Sequence, residues 1–191
     1  MKKSVVIIMM LFGIAMNAQI EVNPGVRAGL NLSSFTNTDE GKSLADFYLG
    51  GFAEIDFSQV YKLQPELNYS RQGSSSDSGN DVKIQYLSFT VANKIFPSKN
   101  NGFHFVAGPS LAFKVGDDGF GALSEELESI DLLFFGGIGY EFPMGLGVEA
   151  RYNLGLIDIF GSNVGETVEI DDIILNKFFQ IGVTYEFDLG R

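Results

Sequence analysis

The chain has 191 residues and a formal net charge of -11 at pH 7, with 13 Lys and Arg against 24 Asp and Glu. This acidic balance argues against a nucleic-acid partner, because phosphate binding needs clustered Lys and Arg. With 0 Cys and 1 His, the sequence also excludes a disulfide framework and a thiolate or multi-histidine metal site.

The chain begins with the pattern of a secretory signal peptide. Two lysines near the start precede an uncharged apolar run over residues 5–16, and Ala18 is the small residue after which we expect cleavage. The run is shorter than the roughly 20 residues of a membrane helix, so a retained anchor is the less favoured alternative. We therefore divide the chain into a signal peptide, residues 1–18, and one domain, residues 19–191.

After the signal, apolar side chains alternate with polar side chains or glycine in eight successive segments. A period of two indicates a β-strand with one apolar and one polar face. Each segment is long enough to cross a membrane as a tilted strand, which needs about 9 to 11 residues. In chain order, the apolar positions are Val22, Val26, Ala28, Leu30 and Leu32; Phe47, Leu49, Ala53, Ile55 and Phe57; Leu63, Leu67 and Tyr69; Leu87, Phe89 and Val91; Phe103, Phe105, Ala107, Leu111 and Phe113; Leu132, Phe134, Ile138, Tyr140 and Phe142; Val148, Ala150, Tyr152 and Leu154; and Phe179, Ile181, Val183, Tyr185 and Phe187.

The segments between these strands alternate in length. Long polar connections follow the odd-numbered strands, and they are Thr36–Ala45, Gln72–Val82, Gly116–Ile130 and Leu156–Asp172. Tight connections follow the even-numbered strands, and they are Ser58–Val60, Pro97–Gly102 and Pro143–Gly145. Outer membrane barrels have short periplasmic turns and longer external loops. The sequence therefore predicts an eight-stranded antiparallel up-and-down transmembrane β-barrel in the cell outer membrane, with both termini in the periplasm.

A soluble lipocalin-like carrier is the alternative eight-stranded barrel, and it has a polar outside and an apolar inside. Glycine placement favours the membrane barrel, because glycines on the polar face make room in a crowded lumen. These glycines are Gly29, Gly50, Gly108, Gly137, Gly139, Gly155 and Gly182. The Phe, Tyr and Leu of the apolar face also have too much volume for the inside of an eight-stranded barrel.

Aromatic residues gather where the periplasmic ends of the strands are expected. Phe57, Phe103, Phe142 and Phe187 lie on the apolar face, with Tyr61, Tyr140 and Tyr185 close by. Such clustering is typical of the aromatic girdle at a membrane interface. The strand propensity of aromatics is the alternative explanation, but it does not predict clustering at strand ends.

Several strings resemble a known family. They are LQPELNYS at Leu63–Ser70, GPSL at Gly108–Leu111, GIGYEF at Gly137–Phe142, EARYNLGL at Glu149–Leu156 and YEF at Tyr185–Phe187. Together they resemble the PorT-like outer membrane β-barrel domain that is common in Bacteroidetes, over nearly the whole mature chain. The resemblance implies the barrel fold. It says little about function, since most members have no assigned activity and a few PorT-type relatives take part in an outer membrane protein secretion system.

Charged residues on the polar face are expected to point into the lumen. They are Arg27, Glu54, Glu66, Lys94, Lys114, Glu149 and Arg151. Unpaired charges in a dry interior are costly, so we expect salt-bridged layers that fill the barrel. Glu66 with Arg151, or Glu149 with Arg27, are the pairs that we expect from their positions along the strands, although the sequence alone leaves the cross-barrel pairing open. An ion or proton path along these charges, or acid-base chemistry by Glu54 and Glu66, is the functional alternative.

No motif predicts an enzyme. His104 has neither a Ser nor a Cys in a motif context that it could activate, so we expect a structural role. The acidic residues of the loops, such as Asp117 and Asp118, do not have EF-hand spacing, so solvated loops are favoured over a Ca²⁺ site. We predict no catalytic residue, no cofactor and no metal.

The sequence therefore favours a small non-catalytic barrel that is surrounded by outer membrane lipid. Its lumen would be plugged by side chains, and its external loops would bind an envelope protein or a surface polymer. A transport role, or an accessory role in a secretion system, is the alternative.

Overall fold

The barrel closes from eight antiparallel strands. The computed structural model of the protein describes residues 21–35, 41–76, 81–98, 101–118, 130–156 and 176–188. The strands are β1 (Glu21–Phe35), β2 (Gly41–Ser58), β3 (Tyr61–Ser76), β4 (Asp81–Ile95), β5 (Phe103–Asp118), β6 (Ile130–Glu141), β7 (Leu146–Gly155) and β8 (Asn176–Glu186). Each strand pairs with its neighbours in the chain, and β8 pairs with β1. The predicted fold class is confirmed.

The two predicted domains differ in how far the structure describes them. The eight strands lie within residues 19–191, the predicted barrel domain. The predicted signal peptide, residues 1–18, lies outside the described residues. In the part of the chain that the structure describes, no helix is long and apolar enough to cross a membrane.

Apolar side chains cover the outside of the barrel, as the alternation predicted. Leu67 in β3, Phe89 in β4 and Ile138 in β6 are 55%, 51% and 49% exposed, while Glu66 and Thr90, next to them in sequence, are buried. The register places outward residues side by side, as with Leu67 opposite Phe89. A soluble carrier needs the reverse arrangement, so the lipocalin-like alternative does not fit.

The inward face is less uniformly polar than the sequence pattern indicated. Ala92, Val106 and Phe135 form a small buried apolar cluster. Further aromatic side chains are buried on the same face, and they are Tyr48, Phe52, Tyr86, Phe96 and Phe178. The alternation therefore predicted the outward face more accurately than the inward one, because a lumen filled by side chains accepts aromatic rings beside charged groups.

The inward glycines make room, as predicted. A Cβ on Gly182 would lie 2.0 Å from the hydroxyl of Tyr48, and one on Gly29 would lie 2.8 Å from the same ring. A Cβ on Gly139 would lie 2.4 Å from Nε2 of His104. A side chain at these positions would be crowded by a large inward side chain, and at Gly29 and Gly182 also by the backbone of the neighbouring strand.

One end of the barrel, here called the turn end, carries the tight turns and the first and last described strand residues. Gly145 in the β6–β7 turn has a φ of 81°, a left-handed conformation that favours glycine. Aromatic rings pair on the outside of this end, at 5.8 Å for Phe57 with Tyr61 and 4.9 Å for Tyr140 with Phe142. These pairs agree with the predicted girdle.

The opposite end, here called the loop end, differs from the prediction. β2 already begins at Gly41, β3 continues to Ser76 and β4 begins at Asp81, so the connection between β3 and β4 spans only residues 77–80. This is shorter than the connection between β4 and β5 at the turn end, so the length rule is wrong for this pair. Polar residues can extend a β-ladder beyond the apolar band. Pairing with the neighbouring strand satisfies the backbone hydrogen bonds of such residues, and water can solvate polar side chains.

β5 and β6 also differ from the prediction at the loop end. β5 continues to Asp118, and β6 begins at Ile130. Residues 119–129 and 157–175, in the other two predicted long loops, lie outside the described part of the chain.

Candidate functional site

Six of the seven predicted lumen charges lie in the same half of the barrel, between its middle and the turn end. Arg27, Glu54, Glu66, Lys94, Glu149 and Arg151 are all buried. Successive side chains of a strand alternate between its two faces, and the face that a residue's place in this alternation gives it is called its parity. The six charged residues point inward because each has the inward parity of its strand. Lys114 is the exception, since it lies toward the loop end and forms an ion pair with Asp117 at 3.4 Å.

The centre of the lumen holds an ion-pair layer formed by Arg27, Glu66, Glu149 and Arg151. Arg151 donates to both oxygens of Glu66, at 2.8 Å from Nη2 and 3.1 Å from Nη1. This bidentate geometry is the strong form of an arginine–carboxylate contact. β3 and β7 lie four strands apart in a closed ring of eight, so the contact crosses the lumen from wall to wall.

The other members of the central layer bind around this contact. Arg27 also donates to Glu66. Arg151 donates to Glu149 as well, from Nε to Oε2 at 2.8 Å. Arg27 and Glu149 are 3.7 Å apart. The pair Glu66–Arg151 therefore forms direct hydrogen bonds, while Glu149–Arg27 is a longer ion contact.

Neutral side chains complete the hydrogen bonding of the central layer. Gln64 and Asn68 donate to Glu66 at 2.8 Å and 3.0 Å. Gln180 accepts from Arg27 at 3.0 Å and donates to Asn31 at the same distance. The alternation along the strands places these amides on the polar face, but the network predicted from the sequence contained only charged residues.

A second group, the lysine cluster, lies closer to the turn end and contains Glu54, Lys62, Lys94 and Glu141. Lys94 contacts Glu54 at 2.7 Å and Glu141 at 2.8 Å, and Lys62 contacts the same two carboxylates. Lys94 also lies 3.5 Å from Glu149, which links this cluster to the central layer. The predicted lumen network did not include Lys62 or Glu141, which lie at the turn-end limits of β3 and β6.

His104 lies beside the central layer and contacts its member Glu149. Its ring is fully buried, with Nε2 3.4 Å from Glu149 and Nδ1 3.2 Å from the carbonyl of Gly102. The ring also packs 5.0 Å from Phe96. These contacts hold the imidazole in place.

Aromatic rings support the two arginines of the central layer. The guanidinium of Arg151 lies 4.7 Å from the centre of the Phe135 ring, and that of Arg27 lies 5.1 Å from the Tyr48 ring. Such contacts attract a cation to the face of a ring. They explain why part of the inward face is aromatic.

The arrangement suits structural ion pairing better than catalysis. Glu54, Glu66, Glu141 and Glu149 each lie beside at least one cationic group or His104. A general base needs a free carboxylate that reaches a substrate, and these carboxylates are engaged within the lumen. Among the residues that the structure describes, no group of three His, Asp or Glu is placed to hold a metal ion.

Comparison with models of protein families identifies the family of this chain. The model of the outer membrane protein beta-barrel domain matches residues 17–161. The chain belongs to this family. The match identifies an outer membrane protein at the level of the general barrel family, which is broader than the PorT-like group. A comparison with curated proteins finds no match.

Solved structures with the same architecture include natural and designed barrels. Neisserial surface protein A (NspA) aligns over 89% of this chain and 100% of its own, with 14% identity and a TM-score of 0.55. Ail, the attachment invasion locus protein of Yersinia pestis, was solved in complex with the heparin analogue sucrose octasulfate. It aligns over 87% of this chain and 99% of its own, with 14% identity and a TM-score of 0.49. The de novo designed barrel TMB2.3 aligns over 87% of this chain and 94% of its own, with 11% identity and a TM-score of 0.41.

Proposed function

We propose that this protein is a non-catalytic outer membrane barrel that presents its external connections to a partner and conducts no ions. The observation that carries the proposal is the bidentate contact between Arg151 and Glu66, which joins opposite walls of the barrel. An ion that passed through the lumen would have to separate these side chains. Breaking a buried ion pair is strongly unfavourable.

The small amount of unfilled space in the lumen also supports a barrel that does not conduct ions. A cavity of about 20 Å³ lies beside the central layer on its loop-end side. A second cavity, of about 180 Å³, lies at the lysine cluster. The central layer stands between them, so the two cavities do not add up to a water-filled pore.

Charge favours a basic protein as the partner. The segments 36–40, 77–80, 119–129 and 157–175 each contain Asp or Glu and contain neither Lys nor Arg. An acidic surface attracts a basic partner and repels an anionic surface polymer. A polybasic protein surface is therefore the partner that these connections fit best.

Conductance in planar bilayers tests the closed lumen. We expect the refolded wild-type protein to give no steady current at applied potentials at which a porin, inserted in the same bilayer, conducts. Steady single-channel current from the wild-type barrel would overturn the proposal of a plugged lumen.

Crosslinking in intact outer membranes, followed by purification, tests the partner. The informative variant replaces Glu166, Glu169, Asp171 and Asp172 with Gln or Asn, and the matched control exchanges Asp and Glu at the same four positions. We expect the neutral variant to lose most of the crosslinked protein and the control to keep it. Equal recovery from both variants would show that acidity does not select the partner.

A role as an accessory component of a protein secretion system is the second candidate. The strings that resemble the PorT-like domain support it. Purification from crosslinked membranes distinguishes this role, because a secretion component would be recovered with several envelope proteins in a fixed ratio. Deletion would also reduce the amount of secreted protein, whereas a barrel with another partner would leave secretion unchanged.

A further inference from the structure

A small polar cavity lies on the loop-end side of the central layer. Its volume is about 20 Å³, and Arg27 and Asn153 are among the residues that line it. The hydroxyl groups of its wall belong to Ser70, Ser88, Thr90 and Ser110. This volume is sufficient for about one water molecule.

Two buried donors of this lining have no partner among the residues that the structure describes. They are Nε of Arg27 and Nδ2 of Asn153. Arg27 and Asn153 are only 3% and 6% exposed, so bulk water does not reach them freely. Buried donors are almost always hydrogen-bonded in proteins, to the chain or to an ordered water.

The charge around the cavity indicates a neutral ligand. Glu66 binds both Arg27 and Arg151, and Glu149 also binds Arg151. The arginine charges are thereby matched by carboxylates, which leaves little attraction for an anion. The same arginines disfavour a cation.

We propose that this cavity is a water-binding site. The bound water accepts hydrogen bonds from Arg27 Nε and Asn153 Nδ2 and donates to the hydroxyl groups of the wall, where Thr90 and Ser110 already form a hydrogen bond of 2.7 Å. The water completes the hydrogen bonding of Arg27 and Asn153 on the loop-end side of the central layer, where Oδ1 of Asn68 is also a buried atom without a partner among the described residues. Polar lining, sufficient volume and several partners are the conditions under which buried water is stable.

Water-to-protein NOE measurements on the refolded protein in detergent micelles test the site. We expect direct NOEs, with the sign of a long-lived water, to the side-chain amide protons of Asn153 and to the methyl groups of Thr90 and Ala112, which line the cavity. The informative variant is Asn153→Leu, which removes one donor. The NOEs to Thr90 and Ala112 should weaken at least tenfold in it.

Thr184→Val is the matched control, because Thr184 is a buried polar residue at the other cavity. It should leave the NOEs to Thr90 and Ala112 unchanged. Absence of these NOEs in the wild type, or their persistence in Asn153→Leu, would overturn the proposal. An anomalous bromide peak in this cavity, in crystals soaked with bromide, would instead identify an anion site.

The NOE measurement on the wild-type protein is decisive even if the variant does not fold. It is also independent of the conductance test.

Discussion

At the scale of single residues, the paired charges of the central layer dominate the lumen. Glu66 accepts from two arginines and two amides, and all five side chains are buried or nearly so. A carboxylate in this position is stable only while its cationic partners remain. The same dependence holds for Arg151, which contacts both Glu66 and Glu149.

We therefore predict that Glu66→Gln and Arg151→Met each destabilise the refolded barrel by about 3 to 5 kcal/mol, because each leaves a buried charge unpaired. The double variant should lose less than the sum, since it removes both members of the pair. Urea unfolding of the four proteins in a double-mutant cycle measures the difference. Lys114→Met is the control, because its ion pair with Asp117 lies outside the central layer and should leave the coupling between Glu66 and Arg151 unchanged. Strictly additive losses for Glu66 and Arg151 would show that the two belong to separate clusters.

A second prediction at this scale concerns Gly182. A Cβ there would lie 2.0 Å from the buried Tyr48 hydroxyl and 2.4 Å from the carbonyl oxygen of Ala28. Gly182→Ala should therefore lower the free energy of unfolding by about 1 to 3 kcal/mol, the usual cost of overpacking. Gly136→Ala is the matched control, because a Cβ there meets nothing within 4 Å. Equal stability of the two variants in thermal unfolding would contradict the crowding.

At the scale of elements, each strand separates two environments by its parity. Phe89 in β4 and Ile138 in β6 are about half exposed on the outside, whereas Lys94 and Glu149 on the inside are nearly inaccessible. A shift of one residue in register would exchange these faces completely. The apolar outside therefore fixes the register as firmly as the hydrogen bonds do.

We predict that Phe89→Arg and Ile138→Arg impair refolding into lipid bilayers, each by about 2 to 4 kcal/mol near the bilayer midplane. Phe57→Arg at the girdle should cost about 1 kcal/mol or less, because the penalty falls near the interface. Ser75→Arg, at the end of β3, is the control beyond the apolar band and should refold normally. Folding yields on transfer from detergent to lipid give the comparison. Equal yields for all four variants would mean that the two faces are reversed.

At the scale of the whole molecule, the two ends of the barrel differ in structure. The turn end carries the aromatic pairs and the lysine cluster, and the two longest connections between strands, residues 119–129 and 156–175, join strands at the loop end. In outer membrane barrels the short turns face the periplasm. This difference sets the expected orientation of the protein in the membrane.

We predict that an epitope tag inserted after Ser76 or after Asp118 is reached by antibody on intact cells, and that one at Lys99 is reached only after the outer membrane is permeabilised. Ser76 and Asp118 are the last residues of β3 and β5. Lys99 lies outside the described residues, in the connection between β4 and β5. Immunofluorescence with and without permeabilisation makes the measurement. Labelling of the Lys99 tag on intact cells would refute this orientation.

The sequence by itself determined the number of strands, their order along the chain and the outward face of each strand. These properties follow from local alternation, since a strand places successive side chains on opposite faces. The same parity identified Arg27, Glu54, Glu66, Lys94, Glu149 and Arg151 as inward residues. It also identified the glycines beside Tyr48, without naming the ring that requires them.

Only the tertiary structure decided which inward residues meet. Glu66 and Arg151 are 85 positions apart in the chain, and their contact depends on how the closed sheet tilts its strands and sets their heights across the lumen. The same geometry adds Lys62 and Glu141 to the lysine cluster, places Lys114 elsewhere and lengthens the strands at the loop end. Parity is a property of neighbouring residues, whereas the height of a side chain in the barrel is a property of all eight strands together.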